Sequence, residues 1–312
     1  MLVETDNGLP VFRIRFWGVR GSYPTSGQAT SRFGGHTSCV EVEVGGHHVI
    51  FDAGTGIIPL GKKLLKHQRS PLSLSLFFSH THHDHVFGFY FFEPLFESAN
   101  RIHILGPNAS GKSLKDTLRL AMDQRFFPVG LSDIEAHKEI YSLKGGERIY
   151  LPDSDGPPKV IGDSRGQPAN EVTILAHKSR AHPNGVLLYR LCYRNKSIAY
   201  ATDIEQKMGG YPDIIEFVRG TDVLIHDAQY LHSEYVSRGN SRRGWGHSTI
   251  ERAAVVARKA GVKQLVLFHH EPTHDDATLA RIEKLARRLF PSTIAAYEGM
   301  ELDLLPRLVK RK

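Results

Sequence analysis

Cysteine is nearly missing from this chain. Cys39 and Cys192 are the two present in 312 residues, and they form no CxxC pair. That excludes a disulfide framework and a thiolate zinc ribbon, and leaves two small thiols expected in the core. No apolar run approaches the ~18 residues that a membrane span requires. The richest stretch, Val86 to Phe92, breaks at Glu93. The opening MLVETDNGLP carries Glu4 and Asp6 and no apolar segment of the secretory kind, so a cytoplasmic protein with no membrane partner is expected. Internal repeats and long low-complexity stretches are also missing. A mean hydropathy of −0.29 with 23% charged residues is neither membrane-like nor typical of a disordered chain.

Unpaired positive charge is scarcer than the formal +7 suggests. Arg307, Lys310, Arg311 and Lys312 fall in the last six residues, and setting them aside leaves +3. Residues 306–312 therefore read as a solvated basic tail, and the body makes a weak case for a polyanionic partner. Histidine, by contrast, is abundant at 18 residues. It is the side chain of metal ligation and of proton transfer near neutral pH.

The first third reads as strands. Phe12, Ile14 and Phe16 alternate with Arg13 and Arg15, and Val40, Val42 and Val44 alternate with Glu41 and Glu43. Val49 to Phe51 runs into the turn Asp52-Ala-Gly-Thr-Gly, and Leu72 to Phe78 stops at Ser79-His80. Ile102 to Leu105 predicts a strand and Ser113 to Met122 a helix. Residues 151–170, rich in Pro, Gly and Asp, predict an exposed loop or insertion. Beyond it, strands are predicted over Val172 to Ala176, Val186 to Tyr193, Ser197 to Thr202, Val223 to His226, Gln264 to Phe268 and Thr293 to Tyr297. Ser248 and Glu251 have capping-box spacing and predict a helix running to about Lys259, and Asp275 to Leu289 predicts another. Two strand-rich halves, each closing with helices, predict a layered α/β domain.

The informative segment is Ser79-His80-Thr81-His82-His83-Asp84-His85, between an apolar strand and an apolar, helical run. Groups that bind ligands in α/β folds sit at strand ends. His80 and His82, two apart, can turn to one side of a short loop and grip one cation. Asp84 and His85 can turn toward a second. Imidazole with carboxylate suits zinc, manganese or iron.

This HxHxDH pattern resembles the metal signature of the metallo-β-lactamase superfamily, and the resemblance runs from about Arg13 to Leu305. Asp52-Ala-Gly-Thr-Gly resembles its DxGxG turn, His182 its third-motif histidine and Asp203 its shared aspartate. His269 resembles its final histidine, with the adjacent His270 as the competing choice. The resemblance implies a four-layer αββα sandwich forming a single domain over 11–305. It also implies two divalent ions, most readily Zn2+, with Mn2+ or Fe2+ possible. His80, His82 and His182 would bind one ion, and Asp84, His85 and His269 the other. Asp203 would bind both, and Asp52 would orient a ligand histidine. Two ions ~3.5–4 Å apart can hold a shared hydroxide, available at neutral pH.

Trp245-Gly-His247-Ser-Thr resembles the GHST segment of the ribonuclease Z and phosphodiesterase branch. His226-Asp227-Ala-Gln-Tyr resembles its His-Glu-Ala-Thr segment, with Asp for Glu. This implies a proton donor, His247, held by Asp227, acting with Asp84 at the metals. Ribonuclease Z clamps tRNA with a long arm after the third motif, but here 20 residues separate His182 from Asp203. The 151–170 loop balances Asp153, Asp155 and Asp163 against Lys159 and Arg165 and makes a poor clamp. Phe16-Trp-Gly-Val-Arg-Gly-Ser22 and Arg125-Phe-Phe-Pro-Val129 resemble the cyclic-nucleotide and cyclic-phosphate phosphodiesterase branch.

The expectation is therefore a dinuclear phosphodiesterase acting on a small phosphodiester, with no stable nucleic-acid partner. Dimers are common in this branch, so a homodimer is suggested. The alternatives are a ribonuclease Z-like endonuclease acting on tRNA precursors and a non-catalytic metal-binding signalling module. Gly106 to Ser113 (GPNASGKS) also matches the Walker A pattern after a strand and before a helix, but Pro107 removes a backbone donor, which argues against a nucleotide loop.

Overall fold

The computed structural model describes residues 11–67, 71–152, 156–162 and 171–305. The basic tail 306–312 and residues 153–155 and 163–170 of the anticipated insertion lie outside them. The first half holds β1 (Phe12–Gly18), β2 (Cys39–Val44), β3 (His47–Phe51), α1 (Ile57–His67), β4 (Ser73–Phe77), α2 (His83–Val86), β5 (Arg101–Pro107), α3 (Leu114–Ala121) and β6 (His137–Leu143). Next come β7 (Arg148–Leu151), β8 (Lys159–Ile161), β9 (Val172–Ser179), β10 (Val186–Tyr193), β11 (Lys196–Ala201), α4 (Pro212–Phe217), β12 (Val223–Asp227) and α5 (His232–Tyr235). The chain continues through α6 (Ile250–Ala260), β13 (Gln264–Phe268), α7 (Asp276–Leu289), β14 (Thr293–Ala295) and β15 (Glu301–Asp303).

These strands form two sheets, in the orders β15-β1-β2-β3-β4-β5-β6 and β14-β13-β12-β11-β10-β9-β7-β8. The alternation read in β1 has a physical consequence. Phe12, Ile14 and Phe16 are buried between the sheets, while Arg13 and Arg15 on the opposite face pair with Asp303, Glu41 and Glu301. At the centre, the Phe51 ring stacks on Tyr200 and Tyr189 with centroids 5.2 and 5.6 Å away. Such offset contacts add to plain area burial. Helices α4, α6 and α7 cover the outer face of the second sheet. Helices α1 and α3, with the turns over 87–96, cover that of the first. The result is the four-layer αββα sandwich.

Three details depart from the sequence reading. Helix α6 starts at Ile250 behind Thr249, not at Ser248. The Ser248 hydroxyl instead donates to the Ile204 carbonyl (2.6 Å) and accepts from the Gln206 amide (3.0 Å). The 151–170 region is not all loop, because β8 pairs antiparallel with β7 at the sheet edge. Cys192 is half-buried, whereas Cys39 is fully buried, and both are free. Among the described residues no helix is long and apolar enough to cross a membrane.

The parallel strands of both sheets bring their C-terminal ends to one edge. There β3 ends before Asp52, β4 before Ser79-His80, β11 before Asp203 and β13 before His269. Asp52, Asp203 and His269 all have positive φ, at 60°, 52° and 60°. Left-handed backbone is unfavourable for residues with a Cβ and is retained where surrounding contacts enforce it, commonly at functional sites.

Candidate metal centre

The structure brings five histidines and two aspartates together at that edge. His80, His82 and His182 form one group of donors, and Asp84, His85, Asp203 and His269 form a second. Asp203 lies between them. Its Oδ1 is 3.2 Å from Nε2 of both His85 and His269. Its Oδ2 faces Nε2 of His80 at 3.5 Å and of His182 at 3.8 Å. Asp84 Oδ2 is 3.1 Å from His269 Nε2 and 3.3 Å from His85 Nε2.

The donors are shaped for cations. His85 Nδ1 donates to Asp52 (2.8 Å) and His269 Nδ1 to Gln229 Oε1 (3.1 Å). Their Nε2 atoms, 3.2 Å apart, face each other and two carboxylates. Positive charge between them reconciles these atoms: a bound cation, or in its place a proton on His85. Burial opposes that proton, but Asp203, Asp84 and Asp52 push His85 well above the usual imidazole range. In the other group, His182 Nδ1 donates to the Gly246 carbonyl (3.1 Å), which leaves its Nε2 3.0 Å from His82 Nδ1. His80 Nε2 is buried without a hydrogen-bond partner.

The electrostatics agree with this arrangement. Burial first, then the adjacent His85 ring, holds His80 well below the usual imidazole range, so it offers a lone pair. Burial likewise lowers His82 and His182. Burial works against the charge of Asp84 and Asp203, but the surrounding imidazoles hold both carboxyls well below their ordinary range.

Asp52 is fully buried and saturated. Oδ1 accepts from the Ser79 amide (2.7 Å), while Oδ2 accepts from the Ser79 hydroxyl (2.7 Å), His85 and the Tyr200 hydroxyl (2.8 Å). His247 lies beside the centre. Its Nδ1 donates to Asp227 Oδ2 at 2.8 Å, and its ring stacks on His269 at 4.9 Å. Burial opposes its charge, but Asp227, and behind it Asp203 and Asp84, push it up to about 9. Asp227 is fixed in turn by the amides of Ser248 (2.9 Å) and Gln229 (3.2 Å). His270 points elsewhere: its Nε2 donates to the Ala296 carbonyl (2.9 Å) and its ring meets Phe33 edge-on. Burial lowers it to about 3.

Several supporting residues escaped the sequence reading. Ser22, with φ 61°, gives its amide to Asp84 Oδ2 at 2.7 Å. Gln229 orients His269 and is held by Glu271 (2.9 Å). Glu205 accepts from the amides of Gly244 (2.8 Å) and Gly246 (2.9 Å) and from the Tyr235 hydroxyl. It thereby sets the carbonyl that orients His182. A Cβ on Gly246 would sit 2.0 Å from His182 Nδ1, so this contact requires glycine. The two Gly amides leave a weak signal, the spacing Gly244-x-Gly246, but nothing in the sequence points to Glu205. Replacing Glu205 by alanine leaves those donors without their acceptor and is expected to cost about 2 kcal/mol. Urea denaturation would register this as a lower midpoint at unchanged slope.

The Walker-like segment does not form a phosphate cradle. Ala109 and Lys112 bond each other, N to O at 3.1 and 2.8 Å, closing a turn over Ser110-Gly111, and Ser113 caps α3. Two of the amides that a phosphate would need are thus already used. The segment instead borders a cleft of about 90 Å3 that Asn108, Ser110 and Asn184 line over His80 and His82.

Known proteins match this picture over most of the chain. The family profile described as "Beta-lactamase superfamily domain" matches residues 47–270. Ribonuclease Z of Picrophilus torridus is 27% identical over 317 residues, covering 94% of this chain and 96% of that protein. The metallo-beta-lactamase fold protein YhfI from Bacillus subtilis superposes with a TM-score of 0.63 at 17% identity, covering 95% of this chain and all of that one. A diphosphatase of the PhnP family gives a TM-score of 0.61 at 17% identity, covering 94% of this chain and 98% of that one.

Proposed function

The chain belongs to the beta-lactamase superfamily, and from that premise we propose that it is a phosphodiesterase with two divalent ions and His247 as proton donor. As a member with ribonuclease Z relatives, it is a metal-dependent hydrolase. The observation that carries the finer reading is the His247–Asp227 pair, 2.8 Å apart, stacked against a donor of the centre. A thioester releases a thiolate that leaves without a proton, whereas a departing alkoxide needs one.

Five imidazoles and two carboxylates suit zinc best, with manganese and iron next. When bound, divalent ions supply an acidified water and Lewis-acid stabilisation of a phosphoryl group. The chain's own residues do the rest. His80, His82 and His182 would hold one ion and Asp84, His85 and His269 the other, with one Asp203 oxygen turned to each group. Asp227 fixes the His247 ring by its Nδ1–H, so that Nε2–H is left to meet the leaving oxygen. Asp52 keeps the His85 tautomer that offers Nε2. Exchanging Asp52 for asparagine is expected to weaken metal affinity about 10–100-fold, measured by competition with a chelator.

A small substrate is supported by the limited size of the cavities at the centre, about 90 Å3 over His80 and His82 and about 510 Å3 beside His182. It is also supported by the segment joining His182 to Asp203, where β10 and β11 pair directly through a tight turn and no clamping arm is inserted. The ribonuclease Z relatives favour the second reading, an endonuclease acting on tRNA precursors. A panel of cyclic nucleotides and linear diesters, assayed beside precursor tRNA, separates the two. Hydrolysis of small diesters with intact tRNA is expected. Cleaved tRNA with inert small diesters would overturn the first reading.

A further inference from the structure

A second cavity, of about 510 Å3, adjoins the centre, and Pro183 borders both it and the small cleft. His182 and Gly246 form part of its wall. Three cations line it, Arg180, Lys207 and Arg252, against one acid, Glu205. The Glu205 oxygens are already occupied by the Gly244 and Gly246 amides and the Tyr235 hydroxyl. Arg180 and Lys207 are exposed and make no ion pair among the described residues. Arg252, by contrast, is buried. One of its nitrogens donates to the Gln206 carbonyl (2.7 Å), and its Nε has no hydrogen-bond partner. Aromatic faces underlie two of the cations, Tyr235 beneath Arg252 at 4.0 Å and Tyr211 beneath Lys207 at 4.8 Å.

The charge in this cavity is not used by the chemistry described above. A phosphodiester carries one negative charge, which the centre meets. Three further cations beside it, against the single carboxylate of Glu205, leave net positive charge that calls for another anion. We infer that this cavity is a phosphate-binding subsite that receives a second, non-scissile phosphate monoester on the substrate; the inference rests on the phosphodiesterase reading. A phosphate monoester has the charge and the three acceptor oxygens to engage a planar guanidinium and an ammonium together. The tyrosine faces would flank the sugar or base that carries it.

The test compares two diadenylates, one with and one without a 5′-phosphate, on the wild type and on Arg180→Glu and Lys207→Glu. The wild type is expected to prefer the phosphorylated dinucleotide by about ten-fold or more in kcat/KM, the scale of one charge-assisted contact. Each charge reversal should reduce that ratio toward one. A wild type without preference, or a preference that survives both reversals, overturns the subsite. If neither dinucleotide is cut, it is the phosphodiesterase reading that has failed. Calorimetric binding of adenosine 5′-phosphate against adenosine then decides on the cavity by itself. Affinity for the phosphate weakened ten-fold or more by the reversals retains the subsite, and affinity indifferent to them overturns it.

Discussion

Replacing Asp203 by alanine is expected to lower kcat by about 10³-fold, some 4 kcal/mol of barrier, and to strip metal from the protein. Its two oxygens serve both donor groups, Oδ1 3.2 Å from His85 and His269 and Oδ2 3.5 Å from His80. Among the described residues no other carboxylate pairs with histidines of both groups. Alanine also lacks the short polar side chain that tolerates the φ of 52° at this position, so part of its effect would come from strain. Asp203→Asn separates the two causes. Asparagine accepts left-handed backbone and keeps the shape, but loses the charge and one acceptor oxygen. A folded Asp203→Asn protein with depleted metal, by elemental analysis after gel filtration, and with little turnover is the expected result. Full metal content with wild-type turnover would remove Asp203 from the centre.

Replacing His247 by alanine is expected to lower turnover on diesters with alkoxide leaving groups by about 10²–10⁴-fold, the usual contribution of a positioned general acid. Metal should stay bound. The ligand rings take their orienting bonds from Asp52, Gln229 and Gly246, not from His247. The His247 ring stacks on His269, so its removal opens a small gap without unfixing that ligand. Asp227→Asn should act in the same direction with a smaller loss, because asparagine can still accept the Nδ1–H but no longer favours the charged ring.

The site was legible in the sequence where its residues are contiguous or end apolar runs. His80, His82, Asp84 and His85 fall within six positions. Asp203 and His269 each follow a strand that the apolar pattern marks, and His182 lies in the short link between β9 and β10. The choice between His269 and His270 was not legible, because it depends on which ring the turn after β13 directs inward. Tertiary context also decided the Ser248 cap: its hydroxyl is taken by Ile204 and Gln206 before the helix can use it. Glu205, Gln229 and Tyr200 act through bonds to residues at least 30 positions away, such as Tyr200 to Asp52 at 2.8 Å, and no local pattern encodes such contacts. The fold was legible to a similar degree. The strongly alternating strands stand out, whereas β6, half-exposed along most of its length, and the three-residue β15 do not.

The most direct measurement is the leaving-group dependence of metal-replete His247→Ala. Diesters that expel a nucleoside alkoxide should be compared with bis(p-nitrophenyl) phosphate, whose leaving group departs without a proton. The account predicts a loss of about 10²-fold or more on the alkoxide diesters and a much smaller one on the nitrophenyl diester. An equal loss on both, or none on either, would contradict His247 as the proton donor of a phosphodiesterase.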